Sequence, residues 1–270
     1  MQEDYFAVEA HSASRLKRYL KGVKFGELEV EETAAMTFGS VFHTLMAGEH
    51  HKIAVFKDDV ACRWVCRKDP KIKTPRATNA YKAIKAAFES RNGGKHIATD
   101  SDFAHVKKLR DMLYADPTVS RIVNLDGVEG EKEFYTKIEI FGKTLKAKGK
   151  MDLVTTPANP WILDWKKVAV EPTPRNIRNR IMYQFHDDIQ AAWYKLLYEA
   201  TYNVTPALLW CFIMDKPPYE YLMVDMSDFI ESGMEKIFKS IHNMETRQTF
   251  RTMYGDEYGI CRLKREFNEL

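Results

Sequence analysis

The sequence predicts an α/β protein in which helices flank a mixed central β-sheet, with a helical N-terminal part. Three observations carry that prediction. Apolar residues recur at helical spacing up to about residue 125, whereas from Phe134 to Lys166 they alternate with period two or form a short apolar run. Ala207–Met214 is an unbroken apolar stretch, as expected for a strand buried on both faces. The composition, 45% hydrophobic and 29% charged over 270 residues, is that of a globular chain long enough to bury a core.

Taken in order, Ser12-Ala13-Ser14 opens a helix that runs through Arg15-Leu16-Lys17-Arg18-Tyr19-Leu20. A second helix spans about 33–47, with Met36, Phe42 and Met46 around the small residues Gly39 and Ser40. Two more, near 78–90 and 102–115, carry many Lys and Arg. After Gly130 the pattern changes. Phe134, Ile138 and Ile140 mark a strand, Gly142-Lys143 a turn, and Leu145, Ala147, Gly149, Met151 and Leu153 alternate along a second strand. Pro157-Ala158-Asn159-Pro160 turns the chain into a third, Trp161–Lys166, which completes a three-stranded meander. Asp187-Asp188 then head a helix from about 189 to 201, acids at its positive end. Strands at 207–214 and 219–224 follow, and Ser227 begins a long amphipathic helix carrying Phe229, Met234, Ile237, Phe238 and Ile241. No internal repeat, low-complexity run or Pro/Gly/Ser-rich linker divides the chain. One domain is therefore expected over 1–270: a helical part to 125, a core over 126–245, and a tail over 246–270 that matches no element.

Whole-molecule charge excludes little, because 41 Lys and Arg face 38 Asp and Glu; only local basic stretches can argue for a polyanionic partner. No apolar run approaches the roughly 20 residues that span a bilayer. The acidic start Met1-Gln2-Glu3-Asp4 leads into no signal-type apolar core, so a cytoplasmic protein without membrane attachment is expected. The four cysteines are scattered: Cys62 and Cys66 can share a helical face, but no matching pair follows, which favours free thiols over a zinc or iron–sulfur site.

The chemistry concentrates in Gly149-Lys150-Met151-Asp152 and Ile162-Leu163-Asp164-Trp165-Lys166. In a strand, Asp164 and Lys166 point to one face and Trp165 to the other, leaving the Trp165 carbonyl near the site. If the two strands pair across the Pro157–Pro160 turn, Asp152 converges on the same spot. Two carboxylates and a carbonyl make a hard oxygen site suited to Mg²⁺, with Mn²⁺ as substitute. Such an ion activates water and stabilises charge on a phosphoryl group, and Lys166 would orient that water or neutralise the growing charge. An isolated Asp-x-Lys is common on solvated hairpins; its neighbours make it informative. Glu133, or Glu131 in its place, offers a further carboxylate. Gln190 and Tyr194, four apart, share a helix face. His43, taken singly, reads as a packed histidine. A basic run, Lys166, Lys167, Arg175, Arg178 and Arg180, follows the third strand, and Lys71, Lys73, Arg76, Lys82 and Lys85 form a second; both suit phosphate contacts that carry no base specificity.

In this order Gly39-Ser40-Val41-Phe42-His43, Glu133, Gly149-Lys150-Met151-Asp152, Asp164-Trp165-Lys166 and Gln190-Ala191-Ala192-Trp193-Tyr194 resemble the RecB-like branch of the PD-(D/E)XK nuclease superfamily. Within it the likeness is to the RecE-type phage recombination exonucleases (exonuclease VIII), and it extends over most of the chain. The resemblance implies a restriction-endonuclease-like core. It implies that His43, Asp152, Asp164 and the Trp165 carbonyl hold the metal, that Lys166 is the catalytic lysine and that Glu133 assists. Gln190 and Tyr194 would shape the DNA-facing site. It further implies a Mg²⁺-dependent exodeoxyribonuclease acting 5′ to 3′ on linear double-stranded DNA to leave 3′ single strands. A ring-shaped homo-oligomer and a single-strand annealing protein as partner belong to the same expectation, as does the cytoplasm of a bacterial host. Lys167 stands where that family usually has Thr, and the tail from Tyr254 matches nothing in it. Three alternatives stay open: a CRISPR-associated type of nuclease with an iron–sulfur cluster, a structure-specific endonuclease, and a DNA-end-binding module without turnover.

Overall fold

The computed structural model describes Tyr5 and residues 8–28 and 33–254. Its helical first part contains α1 (Ala13–Tyr19), α2 (Val23–Gly26) and α3 (Ala34–Met46), followed by β1 (Ile53–Phe56), α4 (Asp58–Lys68), α5 (Asn79–Arg91), β2 (His96–Thr99), α6 (Asp100–Ala115) and α7 (Pro117–Val123). The core contains β3 (Glu129–Ile140), β4 (Lys143–Val154), β5 (Trp161–Val168), α8 (Pro174–Asn179), α9 (Asp187–Tyr202), β6 (Ala207–Met214), β7 (Tyr221–Asp225) and α10 (Ile230–Glu245), and α11 (Phe250–Tyr254) follows. Helix starts follow side-chain caps. Ser12, Thr33, Thr78, Thr99 and Thr173 each accept a hydrogen bond from the backbone N–H three residues on, which satisfies a first-turn donor the helix leaves unpaired.

The five-stranded sheet has the order β3-β4-β5-β6-β7. β3, β4 and β5 form the antiparallel meander, β6 runs parallel to β5, and β7 returns antiparallel. A parallel neighbour requires a long crossover, and α8 and α9 provide it. One face of the sheet, with Phe134, Met151, Val154, Ile162, Trp210 and Phe212, packs on Trp193, Leu197 and Tyr198 of α9 and on Ile237 and Ile241 of α10. The other, with Leu153, Leu163, Trp165, Cys211 and Ile213, packs on Val41, Phe42, Leu45 and Met46 of α3 and on Val106, Leu109 and Leu113 of α6. The mixed sheet between two helical layers is the predicted fold class.

The structure departs from the sequence reading in the tail, where α11 forms, and in two further places. The N-terminal part is not purely helical, because β1 and β2 form a parallel pair, and α4 and α5 connect them as a small lobe with its own core of Phe56, Ala61, Val65 and Tyr81. The alternation along β4 also breaks: Ala147 and Met151 face α9, whereas Leu153 faces the α3 layer. Residues 255–270, with Cys261, and residues 1–4 lie outside the described ones. Among the described residues no helix is long and apolar enough to cross a membrane.

Candidate active site

The site begins with a mismatch between strands. β4 and β5 pair only at Leu153↔Leu163 and Val154↔Ile162, and the ladder stops before Asp152 and Asp164. On the other side of β4, the register with β3 is continuous except at Glu131↔Asp152, where Glu131 takes a left-handed φ of 50°. This is where the pleat of β4 changes face. Asp152 is thereby freed from both ladders, and its Oδ2 accepts the Trp165 N–H at 2.8 Å, a donor that β4 leaves unpaired. Asp164 and Lys166 stand together on the α9 face of β5 as an ion pair, while the Trp165 side chain is buried on the opposite face.

Two helices close the cluster. Gln190 of α9 donates from Nε2 to Asp164 Oδ1 at 2.8 Å and to the Tyr194 hydroxyl at 3.0 Å, while its Oε1 accepts from Lys166 Nζ at 3.1 Å. Tyr194 in turn donates to the Lys150 carbonyl at 2.5 Å, tying α9 to β4. That approach depends on Gly149: a Cβ there would stand 2.5 Å from Leu197 Cδ1 and 3.3 Å from the Tyr194 ring. From the other layer, His43 of α3 places Nδ1 2.8 Å from Asp152 Oδ2. The cleft over these groups has a volume of about 460 Å³ and is lined by Gly39, His43, Glu131, Lys150, Asp152, Gln190 and Tyr194. A side chain at Gly39 would meet nothing within 4 Å, so glycine there leaves the cleft open.

The two carboxylates are driven apart in acidity. Burial raises Asp164 to about 6, against the attraction of Lys166 and with the Asp152 charge adding to the rise. Asp152 is equally removed from water, yet His43, Lys166 and the Trp165 N–H outweigh burial and hold its carboxyl below the usual range. Burial alone would lower His43 and Lys166, but the adjacent carboxylates outweigh it and keep both high. At neutral pH the centre thus holds two buried carboxylates beside the Lys166 ammonium, with the His43 ring against Asp152.

Residues 10–261 match the PDDEXK-like domain of unknown function (DUF3799). The chain belongs to that family. No curated protein matches it in sequence. Among solved structures it is similar to a candidate exonuclease from Eubacterium rectale, at 15% identity and a TM-score of 0.57, covering 92% of this chain and 87% of that one, a likeness of fold. A protein described as SSO0001 aligns at 14% identity over 74% of this chain and 85% of its own, with a TM-score of 0.28.

In this PDDEXK-like domain the sequence-selected residues separate into groups. His43 and Asp152 form one hydrogen-bonded pair and Asp164, Lys166, Gln190 and Tyr194 a second group, the two close enough for Lys166 to act on both carboxylates. At Trp165 it is the N–H that contacts the cluster. Glu133 is half-buried, does not line the cleft and accepts from the Tyr135 hydroxyl at 3.0 Å, whereas Glu131 lines the cleft and pairs with Lys150. Lys167 follows the period of the strand to the other face, where it pairs with Asp215 at 3.0 Å and lies over Phe38. Arg180 is mostly buried, its Nε bonded to Asp187 at 3.0 Å. Arg175 and Arg178 are exposed on α8 and make no ion pair among the described residues. In the second basic stretch Arg76 pairs with Asp58 and Lys85 with Glu89. Sequence reasoning missed Lys17 and Asp187, which pair at 3.4 Å beside Gln190. Lys17 had a signal: positions 13, 16, 17 and 20 form one helical stripe, and a lysine within an apolar stripe is a cation aimed inward.

Among the described residues no three His, Cys, Asp or Glu gather into a ready-made metal cage. The donor chemistry nevertheless fits a hard divalent ion. Two carboxylates share the site, and Asp164 Oδ2 is buried without a well-formed hydrogen bond although Lys166 pairs with it. Asp152 and Asp164 would hold such an ion, with His43, Glu131 or the Trp165 carbonyl completing the set.

Proposed function

We propose that this PDDEXK-like domain is a divalent-metal-dependent deoxyribonuclease, fed from the ends of linear duplex DNA, that digests 5′ to 3′ and leaves 3′ single strands. One observation carries the reading: Asp152, Asp164 and Lys166 converge, buried, where β4 and β5 stop pairing, beside an open cleft that Asp152, Gln190 and Tyr194 line. Buried carboxylates of opposed acidity beside a lysine are costly to fold and serve catalysis better than stability. Mg²⁺, with Mn²⁺ as substitute, would supply Lewis-acid polarisation of the phosphodiester and a more acidic water. The chain's own part is electrostatic and positional. Asp152 is held ionised by His43 and the Trp165 N–H. Lys166, steered by Asp164 and the Gln190 carbonyl oxygen, presents an ammonium where negative charge accumulates on phosphate. Glu131, at the cleft wall, is a better candidate than Glu133 for orienting water.

The segment after β5 supports a DNA-facing role. Exposed Arg175 and Arg178 lie close in sequence to Tyr183, 71% exposed, and Phe185, 53% exposed, a mix of cations and aromatic faces suited to phosphates and unstacked bases. A ring-shaped homo-oligomer and a single-strand annealing partner go with the exonuclease reading; size-exclusion with light scattering tests the first and co-purification the second. The deciding experiment incubates end-labelled linear and closed circular duplexes with Mg²⁺, with and without chelator. Chelator-sensitive loss of the linear form alone is expected, and 5′ label should be released before 3′ label. Cutting of the circle would instead establish an endonuclease. Lys166→Ala should abolish digestion while DNA binding persists; full activity in that variant would remove the central assignment.

A further inference from the structure

Beside the catalytic cluster lies a half-buried cation to which the hydrolytic reading gives no part. Lys17, on α1, has a side chain only 22% exposed; its Nζ is 3.4 Å from Asp187 Oδ1 and 3.5 Å from Gln190 Oε1. Asp187, in the first turn of α9, is itself buried, and Arg180 Nε holds its other oxygen at 3.0 Å. Gln190 Oε1 therefore faces two ammoniums, those of Lys17 and Lys166, while Gln190 Nε2 faces the Asp164 carboxylate and the Tyr194 hydroxyl. The two ends of a primary amide have nearly the same shape and opposite hydrogen-bonding sense. In the flipped orientation N–H groups would meet two ammoniums and the amide oxygen would meet a carboxylate. Lys17 biases the amide against that flip. It also neutralises Asp187, which otherwise competes with Asp164 for Lys166.

We propose that Lys17 is a positioning residue: by clamping Asp187 and the Gln190 amide oxygen, it keeps Lys166 and Asp164 in their working arrangement. This rests on the hydrolytic reading above. A plain structural salt bridge joining α1 to α9 would change stability alone, and a direct DNA contact would change substrate affinity, so the three roles separate experimentally. In the full chain with linear duplex and Mg²⁺, Lys17→Met should lower kcat by about tenfold or more with KM within about twofold, and Lys17→Arg should recover most of the loss. In a Gln190→Ala background, where no amide is left to orient, Lys17→Met should cost less than about threefold more. Unchanged kcat in Lys17→Met, a rise confined to KM, or fully multiplicative losses in the double variant would each overturn the proposal. Should Lys17→Met fail to fold, the metal-free wild type still decides. The Gln190 side-chain amide resonances, assigned by their loss in Gln190→Ala, should be shifted from solvent values and exchange slowly; solvent-like, fast-exchanging signals would overturn the proposal. Absence of any metal-dependent digestion by wild type would fail the hydrolytic reading instead, which the amide signals do not report.

Discussion

The Asp164 carboxyl makes cation binding by this PDDEXK-like domain a proton-coupled event with a calculable slope. Burial raises its pKa from an ordinary 3.8 to about 6. A carboxyl whose folded pKa lies above its unfolded one stabilises the fold at low pH, and that contribution is lost as pH rises through the folded value. The two-unit difference is worth about 3 kcal/mol at most, so the metal-free protein carries a buried charge at neutral pH that a divalent ion would relieve. Below the pKa the ion must displace a proton: at about pH 5 roughly a tenth of Asp164 is ionised, against nearly all at about pH 7.5, which weakens binding about tenfold. His43, also held above its usual value, opposes binding in the same direction if it is a ligand. The assay is thermal unfolding with and without saturating Mn²⁺ at the two pH values, repeated on Asp164→Asn. The Mn²⁺-induced rise in Tm should be large at the higher pH, much smaller at the lower, and absent from Asp164→Asn. Equal rises at both pH values, or an undiminished rise in the variant, would refute the linkage.

Other expectations follow from the same contacts. Gly149→Ala should cost about 1–3 kcal/mol in urea unfolding through the clash with Leu197. Leu197→Val should relieve part of that cost, giving a double variant more stable than the summed losses. Arg175→Ala with Arg178→Ala should weaken duplex binding and reduce the slope of log affinity against log salt by about 2. Lys167→Ala, on the far face of the sheet and paired with Asp215, should leave that slope and digestion unchanged. Tyr183→Ala should slow digestion without altering Tm, because the ring is exposed.

The legible parts of the fold and site were those that depend on local period. Asp164 and Lys166 share a face because they lie two positions apart in a strand, and Gln190 and Tyr194 meet because they lie four positions apart in a helix. Helix starts were equally readable from Ser12 and Thr33, whose hydroxyls satisfy nearby N–H groups. Of the lobe of β1, α4, α5 and β2 only α5 was readable, as the helix near 78–90; the rest escaped because nothing local marks it. Its closure rests on Asp58, whose carboxylate meets Arg76 and Tyr81 at long sequence separation. Asp187 was missed for the same reason, reading as a helix-end acid until α1 and α9 are packed together; Lys17 carried a local signal in its apolar stripe, but only that packing supplies its partner.

The least legible feature is the one on which the chemistry depends. Alternation placed Leu153 on the same face as Met151, and the left-handed φ opposite Asp152 falls on Glu131, a residue type that does not announce it. If β4 and β5 remained paired to their ends, the ladder would draw on the Trp165 N–H and Asp152 would lose a donor that keeps it ionised away from water. A buried, unanswered carboxylate would then take up a proton and cease to be a ligand. The break in strand pairing therefore does more than open a cleft. It supplies the hydrogen bond that makes an acid at that depth usable, and strands that alternate perfectly would have destroyed the site while improving the sheet.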